Sequence, residues 1–389
     1  MTYLDNNATT QPAPSVIEAM ARVMREGWAN PSSVHRAGQI ARQQVELARE
    51  TVCKLIGCGE RELIFTSGGT ESINLALRGS LNIPARRLIV TDKVEHSAMR
   101  ETAETLGAQN NTEILWLKTN IDGVIQLEPL RELIESRHDA IAIVSIGWAN
   151  NETGVIQPVE AIGSLCRSHG VKLHIDGTQW VGKMPTNVSS LPIDMMSFSA
   201  HKFHGPKGIG GLFVRRGVRV LPQITGGPHE RERRGGTENV PGIVGMGEAA
   251  RLALEWLAND HARTSLEALR NRFEQSLLSA VPDASINGAA LPETTRLWNT
   301  SNVAFPRLEA EAILLLLSER GVYASAGAAC SSGSLDPSPV LLAMGIPEER
   351  AHGSVRFSLS RDTTVTEIDS ALRVIPQAIA RLRASMSSI

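Results

Sequence analysis

Strand-like and helical runs alternate through the first two thirds of this 389-residue chain. One helical run, 159–169, carries Ile162 and Leu165 on a single face and stops at Gly170. Short apolar strand candidates lie at 63–66, 87–91, 140–146, 172–176, 195–199 and 211–214. Because parallel strands need crossover connections, this order predicts an α/β fold in which a mostly parallel sheet lies between two layers of helices.

The pattern changes in the last third of the chain. A long helical stretch from about 247 to 280 has no strand signal, and a smaller α+β pattern follows it. This pattern has strand candidates at 302–305, 322–325 and 354–360 and helical runs at 309–320 and 364–383. We therefore expect a large domain over 16–257 and a small domain built from 1–15 together with 258–389.

Charge and composition argue against several broad classes of protein. The formal net charge is −2 with acids and bases interspersed, which is unlike a nucleic-acid or membrane-surface footprint. Residues 1–6 lack the features of a signal peptide, and no apolar run approaches about 18 residues. Cys53 and Cys166 lie in apolar helical patterns, and Cys53 and Cys58 lack the second pair of a metal motif. A reducing, cytoplasmic location is therefore expected.

A lysine and an aspartate each follow a short apolar strand. Lys202 comes three residues after strand candidate 195–199, among hydroxyl and imidazole side chains, and Asp176 ends strand candidate 172–176. Pyridoxal phosphate (PLP) needs such a pair, a lysine for its aldehyde and a carboxylate for its pyridine nitrogen. Taken alone, however, the two residues would sooner indicate a surface lysine and a helix-capping aspartate.

The segment 66–72 indicates a phosphate site. It joins a strand to a helix through Gly68 and Gly69, so that backbone N–H groups and the helix dipole could receive an anion. An ordinary strand-to-helix loop would have the same pattern. Ligands of open parallel sheets bind beyond the carboxyl ends of the strands, where Asp176 and Ser199 also lie. The sequence therefore predicts a single shared site.

Small residues surround one cysteine at 324–334. Alanine, serine and glycine cannot build a core there, so we expect a loop that can carry Cys330 between two places. A free thiol with a pKa near ~8.5 is only slightly ionised at neutral pH, so activation would help it react. The alternative is an incidental cysteine in a flexible loop.

Other polar positions lie after strands or within them. His96 could stack on a pyridine ring and shuttle protons, although a lone histidine is more often structural. Asn151 belongs to a pair of amides of the kind that forms turns. The basic glycine turn 233–239 suits a phosphate or a subunit contact. Arg356 lies in an otherwise apolar strand, where a carboxylate is its natural partner.

These motifs occur in the same order in the cysteine desulfurases, which the chain resembles from end to end. The matching segments are YLDNNATT at 3–10, NPSSVH at 30–35, TSGGTES at 66–72, EH at 95–96, NNETG at 150–154, SAHK at 199–202 and GSL at 333–335 after Cys330. Segments 148–154, 233–239 and 351–358 look closest to the nitrogen-fixation branch, NifS. The resemblance implies a fold-type I PLP enzyme with a seven-stranded-type sheet and a smaller α+β domain.

The resemblance also implies roles for the residues of the cofactor site. Lys202 would hold PLP and later move protons, and Asp176 would keep the pyridine nitrogen protonated. His96 would stack on the ring and act in acid–base steps, and Gln179 would donate a hydrogen bond to the ring oxygen. Asn151 would also contact the cofactor. The phosphate would be held by Gly69, Thr70, Ser199 and His201, with Thr237 reaching in from the partner subunit of a homodimer.

On the substrate side, Asn151, Arg356 and Asn7 would bind L-cysteine. Cys330 would attack the substrate sulfur, leaving L-alanine and a persulfide on this sulfurtransferase. An iron–sulfur scaffold or another acceptor protein would then take the sulfur, with no nucleic acid or membrane involved. No stable metal site is expected, although Cys330 could be a transient iron–sulfur ligand.

Three positions depart from the family pattern. Trp180 stands where a small residue is common, and Gly69 and Gly177 stand where alanine is common. We expect these departures to alter affinity or rate, with Gly177 packing less on the cofactor ring. The alternatives are a selenocysteine lyase, another class V aminotransferase-type enzyme, or a sulfur-pathway scaffold without turnover. Cys330 argues against a transaminase, and intact Lys202, Asp176 and His96 argue against a scaffold.

Overall fold

The computed structural model describes residues 1–109, 111–327 and 336–386 of the chain, and Cys330 lies outside the described residues. The strands are β1 (Thr2–Tyr3), β2 (Leu63–Thr66), β3 (Leu88–Asp92), β4 (Glu113–Leu117), β5 (Ile141–Gly147), β6 (Leu173–Asp176), β7 (Met195–Ser199), β8 (Gly210–Val214), β9 (Ser285–Ile286), β10 (Thr300–Ala304), β11 (Val322–Tyr323), β12 (Ser325–Ala326) and β13 (Ser354–Ser358). The helices are α1 (Pro14–Glu26), α2 (Arg36–Ile56), α3 (Gly69–Ser80), α4 (Ser97–Gln109), α5 (Leu127–Arg137), α6 (Val159–Ser168), α7 (Val240–Leu257), α8 (Asp260–Ala280), α9 (Ala310–Glu319), α10 (Pro339–Ala343), α11 (Glu348–His352) and α12 (Val365–Met386).

A seven-stranded sheet forms the centre of the described structure, in the order β2-β8-β7-β6-β5-β3-β4. The five strands from β7 to β4 pair in parallel, and β8 is antiparallel to both of its neighbours. This arrangement confirms the predicted mostly parallel sheet. β2 and β7 consequently run in the same direction, so that the carboxyl ends of β2, β5, β6 and β7 meet at one edge.

Two apolar layers cover the faces of this sheet. One layer includes α1, α2, α6 and α7, with Val45, Val52 and Ile162 among its buried residues. The other includes α3 and α4, where Ile73 and Met99 are buried. The sheet is therefore sandwiched between helices, as the alternating sequence pattern predicted.

A four-stranded antiparallel sheet, in the order β12-β13-β10-β9, forms a second centre. It packs with α8, α9 and α12 around its own apolar core, in which Phe273, Ile313 and Phe357 are buried. β1 pairs in parallel with β11, and buried Leu4 belongs to the same core. The N-terminal segment therefore packs with the C-terminal third of the chain, although the boundaries 1–15, 16–257 and 258–389 stay a prediction.

The structure differs from the sequence expectations at several elements. The helical stretch expected at 247–280 is two helices, because Asn259 interrupts it and its side chain accepts a hydrogen bond from the N–H of Ala262 to cap α8. The strand expected at 322–325 is divided between β11 and β12. β4 had not been predicted; it is a partly exposed edge strand stabilised by pairing with β3. No helix in the three described stretches is long and apolar enough to cross a membrane.

Candidate active site

A cavity of about 260 Å³ lies at the edge of the sheet where β2, β5, β6 and β7 end. Its lining includes backbone from the first turn of α3 and side chains that follow the neighbouring strands. Nine predicted site residues line it, namely Gly69, Thr70, His96, Asn151, Asp176, Gln179, Ser199, His201 and Lys202. Residues distant in sequence therefore converge on one site, as the shared strand ends predicted.

Lys202 ends a single 3₁₀ turn, Ala200–Lys202, that directly follows β7. Its Nζ donates hydrogen bonds to the main-chain carbonyls of Asn7 (2.5 Å) and Ala8 (2.9 Å). The N-terminal segment therefore lies against the site lysine. Lys207, the next lysine along the chain, is exposed and lines a different cavity.

Asp176 is the last residue of β6 and is nearly buried, with 9% of its surface exposed. Its Oδ1 accepts hydrogen bonds from Thr178 Oγ1 (2.6 Å), Thr178 N (3.1 Å) and Ser197 Oγ (3.0 Å). These bonds converge on one oxygen and fix the plane of the carboxylate. Such a carboxylate suits a protonated heterocyclic nitrogen, which needs a charged partner held in one orientation.

The start of α3 lines one end of the cavity, at Gly69 and Thr70. α3 begins at Gly69, three residues after the end of β2, and the first N–H groups of a helix have no partner within the helix. Glu71, in the same turn, is paired with Arg234 at 2.9 Å. Burial disfavours its charged form, but hydrogen bonds from Arg234 and Ser67 hold the pKa of Glu71 below its usual value. This ion pair also ties the 233–239 turn to the start of α3.

His96 precedes α4 and lines the cavity. The N–H of Ala98 donates to its Nδ1 at 3.1 Å, so the proton of the neutral ring lies on Nε2. Beside it, the carboxyl groups of Asp92 and Glu95 are buried and interact with each other. Burial raises the pKa of Asp92 to about 6, and burial together with Asp92 raises the pKa of Glu95 well above its usual value. Both carboxyl groups are therefore more readily protonated than exposed carboxyl groups are.

Glu95 also connects this pair to the cavity. Its Oε1 accepts a 2.5 Å hydrogen bond from the N–H of Gly147, the last residue of β5, and Glu95 lines the cavity next to His96. Sequence reasoning had noted Glu95 only as part of a motif and had missed Asp92. The buried acid following a strand in TDKVEH, 91–96, was the available signal.

Arg356 is buried in β13 and does not line the cavity. Its guanidinium donates to the carbonyl of Asn151 (3.0 Å) and to Oδ1 of Asp5 (2.8 Å). Its Nε is buried and has no hydrogen-bond partner among the described residues. The guanidinium thus lies next to the Asn151 segment with a carboxylate already bound, and its predicted contact with substrate stays a prediction.

Asn7 and Thr237 also lie outside the cavity lining. The Asn7 side chain is buried and bonds to Thr300, Asn299 and Lys183, whereas its carbonyl faces Lys202. Thr237 is exposed on the turn after Arg234. Its predicted role in a neighbouring subunit is untested, and so is the role of Cys330, which lies outside the described residues. No cluster of three or more metal-ligating side chains occurs in the described ranges.

The three positions that depart from the family pattern, Gly69, Gly177 and Trp180, each have a close side-chain neighbour. A Cβ at Gly177 would lie 2.9 Å from Sδ of Met196, and a Cβ at Gly69 would lie 3.1 Å from Oγ1 of Thr178. The Trp180 ring stacks on Trp148 with centroids 4.3 Å apart and planes within 4°. Alanine at 177 would therefore require Met196 to move, whereas Trp180 has an aromatic partner.

Sequence similarity places the chain among known proteins. The aminotransferase class-V family model matches residues 2–371, and the chain belongs to this family. A cysteine desulfurase from a Nostoc species is 47% identical over 98% of this chain and 94% of its own length. The cysteine desulfurase NifS of Azotobacter vinelandii is 43% identical over 98% of this chain and 92% of its own length. A solved NifS-like protein superposes with a TM-score of 0.89 at 37% identity, covering 98% of this chain and all of that one.

These comparisons confirm the expected fold and an enzyme of the cysteine desulfurase class. Members of this family depend on PLP. The described residues fit that cofactor, because the cavity combines an amine, an oriented carboxylate and an anion-binding helix terminus. These are the three groups that a pyridinium aldehyde with a phosphate requires.

Proposed function

We propose that this chain binds PLP in the 260 Å³ cavity and transfers sulfur from L-cysteine to Cys330, releasing L-alanine. The convergence of Lys202, Asp176 and the start of α3 on one cavity carries the proposal. Once bound, PLP would supply an electron sink for charge that develops at the substrate Cα. A reducing cytoplasm would keep Cys330 in the thiol form on which the transfer depends.

Each side chain would have a distinct task. Lys202 would bind the aldehyde and then move a proton at the substrate, because its Nζ lies in the cavity. Asp176 would hold the ring nitrogen, Gln179 the ring oxygen, and His96, protonated on Nε2, would deliver or accept a proton. The phosphate would occupy the cup formed by Gly69, Thr70, Ser199 and His201, and Asn151 and Arg356 would orient the substrate carboxylate with Asn7 behind them.

The sulfur transfer balances without a further reagent. The Cys330 sulfur attacks the substrate sulfur; the S–S bond forms as the C–S bond breaks, and its electrons remain on the substrate carbon. That carbon takes a proton to become the methyl group of alanine, and Cys330 carries the persulfide. An iron–sulfur scaffold or another acceptor protein would take the sulfur onward.

The decisive experiment is incubation of the purified, PLP-loaded protein with L-cysteine and a thiol reductant, with sulfide and alanine measured together. Equal amounts of the two products are expected. Sulfide without alanine would indicate a β-elimination that releases pyruvate, and loss of cysteine with neither product would indicate a transaminase-type reaction; either result would contradict the proposal. Selenocysteine assayed in parallel reports which of the two amino acids has the higher kcat/KM.

We further propose that the active form is a homodimer with shared sites. Exposed apolar side chains on α1, α2 and the segment between them support this, including Ile17 (55% exposed), Trp28 (79%) and Val34 (94%). Such a surface is costly to leave in water, and a two-fold dimer would cover it twice. Thr237, exposed on its turn, would reach the partner's phosphate cup.

Subunit complementation tests this arrangement. Lys202→Ala and Thr237→Asp would each be inactive alone, because one lacks the lysine and the other repels the phosphate. If Thr237 acts in the partner's site, a mixed dimer contains one intact site. Random reassociation then restores about a quarter of wild-type activity. No recovery in subunits shown to have exchanged would mean that Thr237 acts within its own chain.

A further inference from the structure

Lys183 is a buried lysine whose described partners are uncharged. It follows β6 by seven residues, and 5% of its surface is exposed. Its Nζ donates to Oε1 of Gln179 at 2.6 Å and to Oδ1 of Asn7 at 2.8 Å. No carboxylate among the described residues pairs with it, and burial, followed by the charges of Lys202 and Arg356, lowers the pKa of Lys183 well below its usual value. Burial of a lysine without a charged partner costs free energy, so its presence indicates a structural or functional role.

The two bonds decide how two amides are oriented. An amide can exchange its oxygen and nitrogen by a flip, and its neighbours determine which end faces which way. Lys183 offers its partners hydrogen-bond donors and so selects the oxygen of each amide. The nitrogen of Gln179 then donates to the Asn7 carbonyl at 3.0 Å, and the nitrogen of Asn7 donates to Thr300 Oγ1 at 2.9 Å.

Gln179 depends on Lys183 more than Asn7 does. Oδ1 of Asn7 also accepts a 3.0 Å bond from Asn299, whereas Lys183 is the donor described for Oε1 of Gln179. The ammonium and the neutral amine can both donate two hydrogens, so the orientation survives loss of the Lys183 charge.

We propose that Lys183 is a positioning residue that keeps Gln179 oriented with its amide nitrogen available to the cavity. This inference rests on the proposed function, in which Gln179 donates to the electron-rich ring oxygen of PLP. A flipped Gln179 would present Oε1 to that oxygen and repel it. Lys183 acts on the cofactor through Gln179, since Lys183 itself does not line the cavity.

The test is a double-mutant cycle on Lys183→Met and Gln179→Leu. The measurements are the PLP dissociation constant, the near-visible absorbance of the bound cofactor and the thermal midpoint of the cofactor-free protein. Each single variant should weaken PLP binding by about tenfold and shift the absorbance, because one charge-assisted or oriented hydrogen bond is lost. The double variant should bind no more weakly than Gln179→Leu, since both changes remove the same contact.

Lys172→Met is the matched control. Lys172 is half-buried and, like Lys183, donates to an amide oxygen, Oδ1 of Asn82, but among the described residues it makes no hydrogen bond to Gln179, and it does not line the cavity. This variant should leave PLP affinity and absorbance unchanged. Additive losses in the cycle would overturn the proposal, as would a lowered thermal midpoint of Lys183→Met with unchanged affinity and spectrum. If wild-type protein binds no PLP, the proposed function fails instead.

If Lys183→Met does not fold, a second variant tests whether the orientation of the Gln179 amide matters. Gln179→Glu retains an oxygen for Lys183 and is nearly isosteric, but it has no amide hydrogen to donate. It should fold, and its PLP affinity should fall about tenfold or more with an altered absorbance. Wild-type affinity and spectrum in this variant would show that the amide orientation does not matter.

A second inference concerns a pair of thiols, Cys53 and Cys58, that lie outside the proposed cofactor cavity. α2 ends at Ile56, and Gly57 takes the left-handed conformation, φ 70°. The N–H groups of Gly57 and Cys58 donate to the Cys53 carbonyl at 2.8 and 3.0 Å, which is the hydrogen bonding of a helix C-terminal turn that brings two side chains into contact. Cys53 and Cys58 both line one surface cavity of about 650 Å³.

We propose that Cys53 and Cys58 form a redox-active dithiol that a small organic disulfide converts to an intramolecular disulfide. One thiolate attacks the reagent and releases one small thiol, and the other protein sulfur then attacks the mixed disulfide and releases the second. The protein loses two hydrogens, and the reagent gains them. The neighbouring Cys53 thiol, together with burial, raises the pKa of Cys58, so the reaction should be faster above pH 8 than at pH 7.

Tryptic mapping gives an unambiguous readout. Trypsin cuts after Arg49, Lys54 and Arg61, so the two cysteines fall in separate peptides, 50–54 and 55–61. After treatment of the folded full-length protein with oxidised glutathione, a species with their summed mass less two hydrogens is expected. It should be absent from Cys58→Ser and disappear on reduction. Unmodified thiols or only separate glutathione adducts would overturn the proposal.

Discussion

Nζ of Lys202 donates a 2.5 Å hydrogen bond to the main-chain carbonyl of Asn7, although 195 residues separate the two. The main-chain carbonyl of Asn7 also accepts a hydrogen bond from the side-chain amide of Gln179. The side-chain oxygen of Asn7 accepts a hydrogen bond from Lys183. The N-terminal segment therefore organises the amine end of the cavity. The side-chain partners of Asn7 hold this carbonyl in place, so the position of Lys202 depends on Thr300, Asn299 and Lys183, which do not line the cavity.

Lys202 is expected to be the site of covalent attachment of PLP. Borohydride should fix the cofactor on the peptide that contains Lys202, because its Nζ lines the cavity. Lys202→Ala should abolish both the attachment and the near-visible absorbance, whereas Lys207→Ala, at an exposed position outside the cavity, should retain them. Peptide mapping that finds the reduced cofactor on Lys207 would contradict the assignment.

Cys330 is expected to separate sulfur transfer from substrate binding. Cys330→Ser should still bind PLP and change its absorbance on addition of cysteine, because the groups that bind both are on other segments. It should release no sulfide and carry no persulfide by mass spectrometry. Cys53→Ser and Cys166→Ala are the controls and should keep most activity, apart from packing costs of about 1 kcal/mol. Normal sulfide release from Cys330→Ser would contradict the proposed mechanism.

The buried Asp92–Glu95 pair should give stability a distinctive pH dependence. Both pKa values are raised on folding, Asp92 to about 6, so the folded state binds more protons than the unfolded state. The stabilisation is complete below the unfolded values near ~4 and is lost as pH rises through the folded ones. Glu95→Gln should reduce the fall in unfolding free energy between pH 5 and 8, measured by urea titration.

Glu113→Gln is the control for this measurement. Glu113 lies at the surface, and its hydrogen bonds from Arg137 hold its pKa below the usual value, so it binds no proton between pH 5 and 8. Its replacement should leave the slope of stability against pH unchanged over that range. An unchanged slope in Glu95→Gln as well would mean that the carboxyl pair is ionised in the folded protein.

The Arg49–Glu230 ion pair should stabilise the turn that leads to Thr237. Both side chains are 2% exposed, their closest atoms are 2.7 Å apart, and Glu230 begins a run of three residues with positive φ. Arg49→Met would leave a buried carboxylate unpaired, at a cost of about 3–5 kcal/mol in unfolding free energy. Arg25→Met, which breaks an exposed pair with Glu18, should change it by less than about 1 kcal/mol.

A double replacement distinguishes the pair from simple packing. Arg49→Met with Glu230→Met removes both charges and should recover much of the stability lost by Arg49→Met. If the turn presents Thr237 to the partner, Arg49→Met should also lower the PLP affinity of the dimer, and the double variant should recover much of that affinity. Equal stability of the single and double variants would show that the ion pair is not responsible.

The elements that the sequence predicted well are those governed by local patterns. Asp176 and Ser199 end buried strands, and the ends of parallel strands necessarily meet, so the strand pattern alone was enough to infer their convergence. Gly69 likewise begins α3 where the glycine pair indicated a helix terminus. β4 could not be recognised in the same way, because an edge strand takes much of its stability from its neighbour.

Contacts between segments that are distant in the sequence could not be predicted from local patterns. The local sequence around Lys183 does not show that Oδ1 of Asn7 will lie 2.8 Å from its Nζ. The local sequence around Arg356 does not show that its guanidinium will donate a hydrogen bond to Asp5. Asp92 was missed, and Glu95 was noted only as part of a motif, for a related reason. A charged residue at or after the end of a strand is normally exposed to solvent, and only the folded structure shows that Asp92 is buried and that Glu95 packs against the end of β5.

The packing of the first residues against the last third of the chain has a consequence for how the protein is made. Asn7 leaves the ribosome early, yet its backbone and side chain are held by Ser358 and Thr300. A nascent chain that already contains Lys202 and Asp176 still lacks the partners that fix the Asn7 carbonyl. The chain must therefore be synthesised at least as far as Ser358 before the Asn7 carbonyl can be held against Lys202 as it is in the folded structure, and the proposed cofactor site would be completed only then.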